Sequence, residues 1–136
     1  MFRKSLDTFT ELGGRWWVAR VLAEMGLSFF ALENDAEAER VWRESLRIAI
    51  ETRGTPVALE ALAGLASLQA KRGNLEHALE LLLIVLNHPA SVQGTKDRAT
   101  RLRTELEVQL TSQQIETVHG RVQAKTFEAT VEEILK

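Results

Sequence analysis

The sequence predicts an all-α chain of stacked helical hairpins, and three observations carry that prediction. Apolar residues recur three and four positions apart almost throughout, with no sustained alternation of period two. Tyr is absent and there are only two prolines, so strand formers and helix breakers are both scarce. Two stretches also superimpose at a spacing of forty residues: Leu22, Met25, Gly26, Ala38 and Ser45 recur as Leu62, Leu65, Ala66, Ala78 and Val85. A period between 20 and 50 residues marks supersecondary units that stack to complete one another's core.

The elements follow in order. Arg3–Leu12 is expected as a first helix, with Leu6, Phe9 and Leu12 inward and Gly13-Gly14 as its stop. A second spans Trp16–Leu32, and a third spans Ala36–Thr52 and ends at Gly54. Pro56 suits the first turn of a fourth, where its missing N–H costs nothing. That helix runs to Arg72, and Gly73 supplies a left-handed stop. Leu75–Asn87 forms a fifth, halted before Pro89, which cannot continue a helix. Ala90–Thr95 reads as a loop and Lys96–Leu110 as a sixth helix. Ser112 is the expected N-cap of a short helix to His119, closed by Gly120. Arg121–Lys125 is expected to be extended, with Thr126 capping a last helix that carries Val131, Ile134 and Leu135.

Residue size explains the stacking. Gly26, Ala66, Ala38 and Ala78 are small where paired helices cross, while Phe29, Trp42 and Leu82 fill the space around them. The chain is read as one domain, 1–136. It comprises a half-repeat at 1–13, repeats at 15–54 and 56–89, and a degenerate repeat with a C-terminal cap at 96–136. The last unit keeps Leu102 and Leu106 but has Glu105 at an apolar position, as an outer capping unit facing water would. Ser5 matches Ser45, so the first helix reads as the second half of a repeat.

Bulk composition narrows the function. Charged residues make up 26% and hydrophobic ones 45%, an ordinary globular balance. A net charge of −2 gives no global attraction to phosphate, so no nucleic-acid partner is expected. The absence of cysteine excludes disulfides and thiolate metal sites and fits a reducing cytoplasm. The longest apolar run, Leu81–Leu86, is far short of the ~20 residues a membrane span needs. A soluble, cytoplasmic chain without membrane contact is expected.

No catalytic constellation stands out. His77, His88 and His119 are far apart and lack the i, i+4 spacing of a helical metal pair, so no metal and no cofactor are expected. Ser28, Ser45 and Ser67 have no partner motif, and Glu33, Asp35, Glu37 and Glu39 cluster at a helix start, where negative charge is favoured anyway. Arg101 and Glu105, like Arg103 and Glu107, are four apart and suit pairing on a solvated face. An enzyme is not expected.

The spacing Leu22, Met25-Gly26, Phe29, Ala38, Trp42, Ser45 resembles the tetratricopeptide pattern of large, large-small, aromatic, then alanine, aromatic, small. Leu62, Leu65-Ala66, Gly73, Ala78, Leu82 and Val85 match it again. The forty-residue unit exceeds the usual length of about 34. Three segments, "SLDTFTELGGRWWVA", "ALEALAGLASLQAKRGNLEHALELL" and "HGRVQAKTFEATVEEIL", are similar, in that order, to the C-terminal helical-repeat region of MalT-like and LuxR-type bacterial signal-transduction regulators. The resemblance implies a TPR-like helical-hairpin solenoid of about three repeats, acting as the sensor or partner-binding part of a transcription-regulating system. The phosphate-binding loop of the family's ATPase domain is missing from this sequence.

The resemblance also implies where a partner sits, since the first helix of each tetratricopeptide pair lines the concave side. Carried over, the groove comprises Arg20, Ala23, Leu27 and Phe30, then Glu60, Ala63, Ser67, Ala70 and Lys71, then Arg103 and Glu107. Such an apolar strip between charges suits a protein or peptide partner. An alternative occupant is the C-terminal helix, anchored by Phe127, Val131 and Leu135. Trp16 holds the family's tryptophan position and is expected inward. Trp17, which a helix cannot bury on the same stripe, either packs on the preceding helix or contacts a partner. Two other functions remain open at this point: a self-assembling homo-oligomer through Phe2, Leu6 and Phe9, or a small-ligand sensor domain.

Overall fold

The computed structural model describes residues 14–136, and all secondary structure among them is helical. The helices are α1 (Arg15–Ala31), α2 (Asp35–Glu51), α3 (Thr55–Lys71), α4 (Leu75–Asn87), α5 (Gln93–Gln109), α6 (Ser112–Ala124) and α7 (Phe127–Leu135). The helix expected at Arg3–Leu12 and the half-repeat at 1–13 lie outside the described residues. No helix among those described is long and apolar enough to cross a membrane.

The first three connections are the same turn, repeated every twenty residues. Glu33, Arg53 and Gly73 have left-handed backbones, with φ of 60°, 58° and 87°. The next residue in each case donates its N–H five positions back: Asn34 to Phe29 O at 2.8 Å, Gly54 to Ala49 O at 2.7 Å, Asn74 to Gln69 O at 2.9 Å. This is the Schellman closure, which satisfies helix-end carbonyls and reverses the chain in three residues. Only Gly73 announces it by residue type. At Glu33 and Arg53 a side chain stands where a left-handed backbone costs about 1–2 kcal/mol, so packing of the paired helices enforces the turn.

The pattern then changes. α4 is 13 residues long against 17 for α1–α3 and stops at Asn87, with His88 extended before Pro89. α5 begins at Gln93, earlier than expected. Thr111, rather than Ser112, caps α6 through a reciprocal box: Gln114 N–H donates to Thr111 Oγ1 at 3.1 Å and Thr111 N–H to Gln114 Oε1 at 2.9 Å. α6 also continues through Gly120 to Ala124, so the extended segment expected at 121–125 is helical as far as Ala124. An interior Gly costs a helix about 1 kcal/mol, and packing of Val118 and Val122 against the core offsets it.

Each of α1 to α4 packs on the next, and α1 also packs on α3 and α3 on α5. These three lie side by side in one layer, with α2 and α4 behind them, α6 on α4 and α7 on α2. α3 is buried on nearly all sides, and its small residues Ala58, Ala61, Gly64 and Ala66 admit the neighbouring backbones. Trp42 is the keystone: its indole N–H donates to Ala23 O at 3.1 Å. A Cβ at Gly26 or at Gly64 would overlap its ring. Beside it, Ser45 Oγ donates to Ala19 O at 2.6 Å.

A charged latch holds the end of the chain. Lys125 Nζ donates to Glu80 Oε1 at 3.0 Å and to Glu133 Oε2 at 2.7 Å, joining α4 to α7. Glu80 is 4% exposed, so this cation compensates a buried carboxylate.

Candidate functional site

Two adjoining hollows run between α1, α3 and α5. One, of about 370 Å³, lies among Phe30, Ala70, Lys71, Leu75, Arg101 and Glu105. The other, of about 30 Å³, is bounded by Leu27, Glu60, Ala63 and Ala99. Ser67, Arg98 and Leu102 line both, so the two form one strip. α1 supplies Leu27 and Phe30, α3 supplies the small floor of Ala63, Ser67 and Ala70, and α5 supplies the far wall.

The structure brings most of the expected groove residues together. Leu27, Phe30, Glu60, Ala63, Ser67, Ala70 and Lys71 all line this strip. Ala23 is fully buried beneath it, as the acceptor region for Trp42. Arg20 lies on the exposed side of α1, 3.7 Å from Glu24, with its guanidinium 5.8 Å from the Trp17 ring centroid. Trp17 itself is 55% exposed, whereas Trp16 is half-buried against Gly54. Arg103 and Glu107 pair with each other and line neither hollow. α5 presents Arg98, Arg101, Leu102, Glu105 and Gln109 instead.

α5 keeps the forty-residue register: buried Ala99 and Leu106 and core-packed Leu102 lie forty residues beyond buried Leu59, Ala66 and Leu62. The hollows open on the flank of α5 that carries Arg98, Arg101, Leu102 and Glu105, and the repeat spacing alone does not single out that flank.

The C-terminal helix does not occupy this groove. α7 lies on α2, with Val131 buried and Ile134 and Leu135 half-buried there, while Phe127 packs edge-on against His88 with ring centroids 5.1 Å apart. Sequence gave that helix an apolar face but not the gap it covers. Phe2, Leu6 and Phe9 lie outside the described residues. His77 Nδ1 is 3.6 Å from Glu80 Oε2, and His88 Nδ1 accepts from Ala90 N–H at 3.0 Å. No group of His, Asp or Glu among the described residues converges to hold a metal ion.

The strip has mixed charge with a cationic excess toward α5. Lys71 pairs with Asp35 at 3.0 Å and sits 5.2 Å from the Phe30 ring centroid. Arg98 is 3.6 Å from Glu60. Burial pushes the Glu60 carboxyl above the ordinary carboxylate range, against the pull of Arg98, and nearby Glu24 adds to the rise. Arg101 makes no ion pair among the described residues, which leaves its guanidinium available at the wider end.

No family model matches this chain, and comparison with curated proteins and with solved structures finds no match either.

Proposed function

We propose that the chain is a non-catalytic protein-interaction module whose α1/α3/α5 strip holds a segment of a partner protein. The carrying observation is the strip itself: an apolar centre at Leu27, Phe30 and Leu102 over a small-residue floor, flanked by Lys71, Arg98 and Arg101. Such a surface fits an amphipathic helix or extended peptide with an apolar anchor and a neighbouring carboxylate. The finer architecture is a TPR-like solenoid of about three repeats with a capping end. Its support is the turn repeated every twenty residues and the close packing of α1, α3 and α5, with α7 lying over α2. The sequence resemblance to bacterial regulators is the ground for a sensor or scaffold role in cytoplasmic signalling.

The test is selection from a random-peptide display library, with a Leu27→Asp chain for counter-screening. Leu27 is the cleaner probe because Phe30 leans on Trp42, ring centroids 5.9 Å apart, so a charge at Phe30 would also cost stability. Selected peptides are expected to bind Leu27→Asp at least about tenfold more weakly, a loss of roughly 1.4 kcal/mol. Equal binding to both chains would contradict the reading.

One observation favours self-assembly as a second reading. Val18, Val21 and Met25 on α1 are 48%, 39% and 38% exposed, whereas Ala58, Ala61 and Leu65, forty residues on, are 0%, 0% and 6% exposed beneath neighbouring helices. Pairing through this face predicts a mass that rises with concentration in light scattering. A constant monomer mass across the dilution series removes this reading.

A further inference from the structure

A second cleft, of about 240 Å³, lies on the other side of the molecule, where α7 bridges from α2 toward α4. Its floor is aliphatic: Leu65 and Leu68 of α3, Leu81 of α4 and Ile134 of α7. Charged groups ring the mouth, and most of them are already matched. Arg72 holds Glu39 at 2.6 Å, and Lys125 holds Glu133 at 2.7 Å. Arg43 lines the same cleft and makes no ion pair among the described residues. Arg72 and Lys125 thus engage the carboxylates at the mouth, Lys125 being shared between Glu133 and Glu80, while the Arg43 guanidinium stands above an apolar floor with no carboxylate partner among the described residues.

We propose that this cleft binds a small aliphatic carboxylate, its carboxyl group on Arg43 and its hydrocarbon chain among Leu65, Leu68, Leu81 and Ile134. A planar guanidinium matches a carboxylate with two parallel N–H donors, which a hydroxyl or an ammonium cannot exploit. At the roughly 30 Å³ that a water occupies, the cleft has room for at least about eight non-hydrogen atoms, the number in hexanoate. A convergent polar group over an apolar floor is the usual composition of a small-molecule site. The ligand would touch α2, α3, α4 and α7 together, so binding ties the last helix to the array and stabilises the folded chain by mass action. None of the helix faces used here belongs to the peptide strip, so the two proposals stand or fall separately.

The experiment titrates hexanoate into the full chain, following amide resonances and the melting temperature, with hexanol and hexylammonium as controls of equal length. Hexanoate is expected to shift the amides of α7 and those around Leu81 saturably and to raise the melting temperature. Arg43→Met is expected to weaken it by about tenfold or more, as for loss of a charged hydrogen bond. Arg47→Met, at an exposed residue already paired with Glu44 at 2.8 Å, is expected to leave it unchanged. The proposal is overturned if hexanol or hexylammonium binds as well, if Arg43→Met binds hexanoate normally, or if no saturable shift occurs. Should Arg43→Met not fold, discrimination between the three compounds by the unaltered chain still decides.

Discussion

Trp42→Ala is expected to lower the unfolding free energy by about 3–5 kcal/mol, the range for deleting a fully buried aromatic side chain. Trp42 is inaccessible to solvent and lies where α1, α2 and α3 meet. Its removal opens a cavity between helices whose glycines have no side chains to fill it, and it orphans the Ala23 carbonyl that accepts its indole N–H. Relaxation is limited because Gly26 and Gly64 sit on separate helices that both press on the indole around Cε2. A companion substitution tests the same contact from the other side. In an open helix, Gly→Ala gains about 1 kcal/mol. Gly64→Ala should instead destabilise by about 1–3 kcal/mol through overpacking against the indole. Denaturant unfolding of both variants checks this. A Gly64→Ala chain more stable than the original would mean that α2 and α3 are not pressed together as described.

Lys125→Met should destabilise the chain by about 1–3 kcal/mol, the cost of leaving a buried acceptor without its partner. Glu80 lies within the α4 core surface, and Lys125 is its nearest cation. Hydrogen bonds to Glu133 and then to Glu80 hold the Lys125 ammonium above its ordinary pKa, and the same cation holds Glu133 below the carboxylate range. The signs define a window. The Glu133 contribution is complete above the ordinary carboxylate pKa and is lost as pH falls through the lowered value. The Lys125 contribution is complete below the ordinary ammonium pKa and is lost only as pH rises through the raised one. Between those limits the latch is whole. Lys125→Met should therefore flatten the acid limb of the stability profile and speed amide exchange in α7 before the rest of the molecule. An unchanged profile and unchanged α7 exchange would contradict the latch.

Local chemistry made much of the array legible. Pro56, Gly73 and Pro89 mark helix starts and stops by backbone restriction alone, and the structure places boundaries at each. The tetratricopeptide resemblance singled out most of the α1 and α3 side chains that line the strip, because both helices are 17 residues long and follow the same turn. What failed depended on non-local geometry. The left-handed backbones at Glu33 and Arg53 follow from packing, not residue type. Arg103 and Glu107 miss the strip although α5 keeps the forty-residue register, because the hollows open on the neighbouring flank of that helix. The spacing of Arg101 and Glu105 suits a solvated face, since charge pattern alone cannot distinguish a groove wall from an outer surface. The seat of α7 depends on the apolar surface exposed by other helices, which no window of sequence contains.

The central claim is that α1, α3 and α5 form one binding face. Amide-shift mapping of the full chain with a peptide from the display selection tests it most directly. The account predicts that the perturbed amides cluster around Leu27 on α1, Ser67 on α3 and Arg98 and Leu102 on α5, while α7 is unaffected. Perturbations centred on the α2/α7 side, or on the Val18 face of α1, would contradict it.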